Sequence, residues 1–76
     1  MEALFSTNIS HNNQNVVYQV YSDEGKYVFL PEVSNDEFKD FSFIRDNSVW
    51  KDQELLAPEL KKQAVAALEK YLINQP

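Results

Sequence analysis

The sequence predicts an α+β fold: a small antiparallel β-sheet with one C-terminal α-helix packed on one face. Three observations carry that expectation. Residues 58–73, PELKKQAVAALEKYLI, repeat apolar side chains at helical spacing. Residues 16–30 and 41–51 each read as two short β-rich runs about a turn. The strands come first and the one long helix last, without the strand–helix alternation that builds parallel sheets.

Taken in order, ALFSTNI at residues 3–9 alternates briefly, with Leu4, Ser6 and Asn8 on one face and Ala3, Phe5, Thr7 and Ile9 on the other. Residues 1–14 are therefore either an edge strand, the fifth of the sheet, or a flexible N-terminal segment. His11-Asn12-Asn13-Gln14-Asn15 reads as a polar loop with turn-prone asparagines. Val16–Tyr21 is the clearest strand, rich in β-branched and aromatic residues. Ser22-Asp23-Glu24-Gly25-Lys26 holds the only glycine, which suits a three-residue loop closed by a left-handed bulge residue. That loop would set Ser22 opposite Lys26, Val20 opposite Val28 and Tyr18 opposite Leu30. Val16, Tyr18, Val20, Val28 and Leu30 then share one face, and Val17, Gln19, Tyr21, Tyr27 and Phe29 the other.

Lys26–Leu30 ends at Pro31. Ser34-Asn35-Asp36-Glu37 matches a capping box, with Val33 and Phe38 at the staple positions, and predicts one or two helical turns. Phe41–Arg45 and Ser48–Lys51 form the second hairpin about Asp46-Asn47, with Phe43 opposite Trp50 and Ile44 opposite Val49. Asp52–Ala57 is a connector closed by Pro58, which suits the first helical position. Leu60, Ala64, Ala67, Leu68, Tyr71 and Leu72 then make one apolar stripe, leaving Lys61, Lys62, Glu69 and Lys70 for water.

At 76 residues the chain reads as a single domain, 1–76. So short a domain buries only roughly 60% of its unfolded surface, and the absence of cysteine excludes disulfide staples and thiolate metal sites. Good packing or self-association must compensate. Five Phe, four Tyr and one Trp argue for a real core. A net charge of −5 disfavours nucleic-acid phosphates and anionic membranes as partners. The acidity is uneven, with nine acidic and four basic residues between Asp23 and Glu54. The N-terminus lacks a basic, then apolar, signal sequence, and no run of 18 apolar residues exists, so the expected location is cytoplasmic. Without secretion, Asn8-Ile9-Ser10 is not a working glycosylation site.

Little in the chain points to chemistry, and the expectation is a protein that is not an enzyme. The one histidine, His11, reads as a solvated loop residue, and no serine sits in a nucleophile motif. Carboxylate pairs fall in turns, a helix N-terminus or charged connectors, where acids normally sit exposed to water. Asp46–Glu54 fails as a calcium loop, because Trp50 occupies a ligand position and the required glycine is missing. One glycine cannot build a phosphate cradle. The expectation is no metal and no cofactor.

On the predicted register, Tyr21, Tyr27 and Phe29 cluster on the face away from the helix, rimmed by Asp23 and Glu24. Either Phe5 and Ile9 cover them as a second small core, or they form a recognition surface for a protein partner or a second copy. Base stacking would need a basic surround that Glu24, Asp23 and Glu32 do not provide. No motif names a family, since a sheet, a tryptophan near a strand end and a terminal helix are common among small bacterial domains. The function expected is an acidic, non-catalytic protein-interaction or homodimerising module, with Tyr21, Tyr27 and Phe29 as anchors and Asp23 and Glu24 steering. An acidic decoy of nucleic acid is the alternative, and a small enzyme the weaker one.

Overall fold

The computed structural model describes residues 1–34, 36–47, 49–52 and 56–74. Five strands run in chain order: β1 (Glu2–His11), β2 (Gln14–Asp23), β3 (Lys26–Pro31), β4 (Phe41–Asp46) and β5 (Val49–Asp52). Each pairs antiparallel with its sequence neighbour, giving a five-stranded meander. The one helix among the described residues, α1 (Pro58–Ile73), returns across one face, and its backbone runs closest to β1.

The N-terminal segment is the edge strand, joined to β2 by the two-residue turn Asn12-Asn13. Both asparagines have positive φ, 51° and 62°, as a type I′ turn requires and as Asn tolerates. Phe5, Thr7 and Ile9 share one face as the alternation predicts, but that face lies under the helix, so Phe5 and Ile9 join the main core instead of covering a second one on the far side. Ala3 does not share that face, because a bulge at Leu4 shifts the register between Ala3 and Phe5 and returns Ala3 to the face it shares with Tyr21.

The β2–β3 register differs from expectation by one residue. The loop is Glu24-Gly25 alone, with φ of 49° and 84°, so Asp23 stands opposite Lys26 and Val20 opposite Phe29. A one-residue slip exchanges the faces of a strand. Tyr27 and Phe29 therefore join Tyr18 and Val20 beneath the helix, while Val28 and Leu30 join Val17, Gln19 and Tyr21 on the opposite face. The exchange buries the larger side chains, which is where apolar area stabilises most.

In the second hairpin Asp46 pairs with Val49 and Arg45 with Trp50, so Phe43 stands opposite Asp52 and Ile44 opposite Lys51. This slip is even, and Phe43 and Trp50 keep the common face expected of them. Of the predicted short helix, residues 36–38 form bends rather than helical turns, and Asn35 lies outside the described residues. Phe38 nevertheless drops into the core and anchors the crossing from β3 to β4. Ser48 and residues 53–55 of the connector also lie outside the described residues.

The core is largely aromatic. Phe29 stacks on Phe41 at 4.8 Å, and Phe43 meets both rings edge-on at 5.8 Å. Tyr18 packs against Phe41 at 5.2 Å, and its hydroxyl donates to the Lys39 carbonyl at 2.9 Å. Leu60, Ala64 and Leu68 close the core from the helix, and Tyr71 stacks on Phe5 at 4.8 Å. These are the stripe positions read from the sequence.

Candidate interaction surface

With the helix on one side, the opposite side of the sheet is left without a helix or strand among the described residues. Alternation along the strands puts Val17, Tyr21, Val28, Leu30 and Ile44 at its centre, all half-buried. Ser6, Asn8 and Ser10 of β1 and Lys51 of β5 lie exposed toward its two edges. The end nearest the β2–β3 and β4–β5 turns mixes signs. Asp23 is registered against Lys26, and the Lys51 ammonium bonds Asp46 at 3.0 Å.

The five predicted surface residues do not form one surface. Tyr21 lies on the open face. Phe29 is fully buried between Phe41 and Phe43. Tyr27 is half-buried on the helix side, edge-on to Trp50 at 5.5 Å. Asp23 and Glu24 remain at the turn that borders the open face, Glu24 exposed and Asp23 half-buried. Sequence reasoning missed Val28, Leu30 and Ile44 as members of that face. The alternation that identifies them was present, but its assignment to a side depended on one residue of loop length.

His11 is not a solvated loop residue. It ends β1, its side chain is 21% exposed, and its Nδ1 lies 3.1 Å from Glu59 Oε2 in the first turn of α1. Its ring meets Phe38 edge-on. Beside it the Ser10 N–H donates to Gln63 Oε1 at 2.8 Å, and Gln63 Nε2 donates back to the Ser10 carbonyl at 2.7 Å. The Ser10 hydroxyl bonds Asn15 on the other face of the strand, so serine, histidine and glutamate do not converge as nucleophile, base and orienting acid there.

The carboxylates in this region are tied up as well. Asp52 Oδ1 lies 3.1 Å from Lys61 Nζ, so Lys61 is not simply a solvated cation. Partial burial works to raise the Asp52 pKa. Hydrogen bonds from Lys61 and from backbone N–H groups, Leu56 among them, outweigh it and hold the carboxyl below its ordinary value. Burial, reinforced by the Asp40 charge, pushes the Tyr18 phenol up to about 12. Among the described residues, no three His, Asp or Glu side chains stand close enough to hold a metal ion together. None of the described helices is long and apolar enough to cross a membrane.

One groove borders the sheet edge. It measures about 290 Å³ between β1 and the C-terminal half of α1, lined by Phe5, Ser6, Thr7, Ala67, Lys70, Tyr71 and Asn74. The chain matches no protein-family model, no curated protein and no solved structure.

Proposed function

We propose that this chain is a non-catalytic homodimerising module in which two copies pack open sheet face against open sheet face. The observation that supports this most directly is the set of half-buried apolar residues Val17, Tyr21, Val28, Leu30 and Ile44 opposite the helix, sharing that face with Gln19 and Ser42. Apolar surface of this kind gains free energy by leaving water, and an antiparallel sheet packs readily on another through such a face.

Size argues for a second copy. A 76-residue chain without cysteine has few other ways to add burial. The net charge of −5 opposes association, but the margin of this face carries Lys26 and Lys51 beside Asp23 and Asp46. It therefore presents no single-sign rim to its copy. The decoy reading is weaker, because Asp46 and Asp52 already carry lysine partners rather than standing free in a phosphate-like row.

Ile44→Glu puts a charge at the centre of the face without touching the core. It should convert dimer to monomer in sedimentation equilibrium while leaving the circular dichroism spectrum unchanged. Tyr21→Ala should weaken the dimer in the same direction. A dimer that survives Ile44→Glu at wild-type affinity would place the contact elsewhere and end this reading.

A further inference from the structure

The two edges of the sheet are built differently. β5 is short, four residues, and holds Lys51 and Asp52, the usual devices against unwanted pairing. β1 is ten residues long, holds no proline or lysine, and carries its only carboxylate, Glu2, at its first position. Its outer backbone groups can be assigned from the register. The turn residues Asn12-Asn13 make His11 and Gln14 a hydrogen-bonded pair, so the N–H and C=O of Ser10, Asn8 and Ser6 point away from β2. The Gln63 amide confirms the direction, since it both accepts from the Ser10 N–H and donates to the Ser10 carbonyl. Those are the two bonds a neighbouring strand would make.

Beyond Ser10 the imitation stops and the groove begins. Its lining includes Ser6, whose side chain belongs to the open face, so the groove runs along the strand edge itself. Phe5 and Tyr71 form an aromatic floor, and Lys70 is the one charged side chain lining it among the described residues. Lys70 makes no ion pair among the described residues. In a chain of net charge −5, this is a locally cationic, half-apolar slot beside unpaired strand edge.

We infer that the β1 edge binds an extended acidic peptide segment by strand addition. The Ser6 and Asn8 backbone groups hold its main chain, one aliphatic side chain rests on the Phe5–Tyr71 rings, and a carboxylate meets Lys70. Main-chain bonds supply affinity in this mode and the groove supplies selection. The bulge at Leu4 and the Gln63 amide at Ser10 bound the free edge, which fits a segment of roughly five residues. This site is separate from the face proposed for dimerisation and does not depend on it.

The test is to pan a phage library of random dodecapeptides on the wild-type chain and synthesise the enriched sequences. Acidic peptides with alternating aliphatic residues should emerge, and their binding should shift the Ser6 and Asn8 amide resonances. Asn8→Pro removes an outward N–H without breaking the β1–β2 ladder, a placement edge strands tolerate. It should weaken binding on the order of tenfold. Lys70→Glu, at an exposed position, should do the same and abolish the preference for acidic peptides. Ile44→Glu should leave peptide binding intact, which separates this site from the dimer face. No enriched peptide, binding indifferent to both edge variants, or a dimer dissolved by Asn8→Pro would each overturn the inference. The last outcome would assign the edge to a second copy instead.

Discussion

At the scale of single residues, Glu24 decides the arrangement of the sheet. It occupies the first turn position with φ of 49°, a conformation that costs an ordinary L-residue roughly 1 kcal/mol and that Asn tolerates. Glu24→Asn should therefore raise stability by about 0.5–1 kcal/mol, seen as a rise of a few degrees in Tm by calorimetry. No gain would mean that the turn is not type I′. Gly25 follows with φ of 84°, and a Cβ there would meet nothing within 4 Å, so its requirement is one of backbone conformation alone. This turn also shows where the sequence stopped being informative. Ser-Asp-Glu-Gly-Lys fits a two- or a three-residue loop, and the glycine, which suits a left-handed bulge after a type I turn, favoured the wrong one. Phe29 and Tyr27 changed sides as a result. His11 was illegible for another reason, since its partner Glu59 stands 48 positions away and local sequence carries no trace of it. The Asn12-Asn13 turn, by contrast, was signalled by two residues that tolerate left-handed backbone.

Tyr18 adds a pH dependence at the same scale. Its phenol is ordinary at 10.0 in the unfolded chain and pushed up to about 12 in the fold. The native state then binds the proton more tightly, so the stabilisation is complete below pH 10 and is lost as pH rises through 12. Urea denaturation between these values should show stability falling with pH. Tyr18→Phe should flatten that slope, at a cost of roughly 0.5–1.5 kcal/mol near neutrality for the lost bond to the Lys39 carbonyl.

At the scale of elements, α1 was the most legible, because Leu60, Ala64 and Leu68 repeat at helical spacing and are the residues it buries. The strands were legible as alternations, and Tyr18 and Val20 of β2 lie on the expected side, but β3 was assigned to the wrong face for the reason given by the turn. The helix start is underbuilt. Ala57 stands at the N-cap with no side-chain hydrogen bond, and its carbonyl takes the N–H groups of Leu60 and Lys61 at 3.0 Å. Ala57→Ser should supply the missing acceptor and add about 0.5–1 kcal/mol, measurable as a higher urea midpoint with unchanged slope. The capping box at residues 34–37 shows the converse. A complete local signature did not make a helix of residues 36–38, because Phe38 is claimed by the core and Phe41 already begins the next strand.

At the scale of the molecule, stability at this length is roughly 4–11 kcal/mol in total, and the one-sided sheet leaves apolar surface uncovered that a second copy can use. The proposed homodimerisation rests on that asymmetry. It is measured most directly as solution mass by light scattering on a sizing column over a wide concentration range. A mass rising toward twice 8.9 kDa with concentration is the expected result. A mass that stays at 8.9 kDa up to millimolar chain would contradict face-to-face dimerisation.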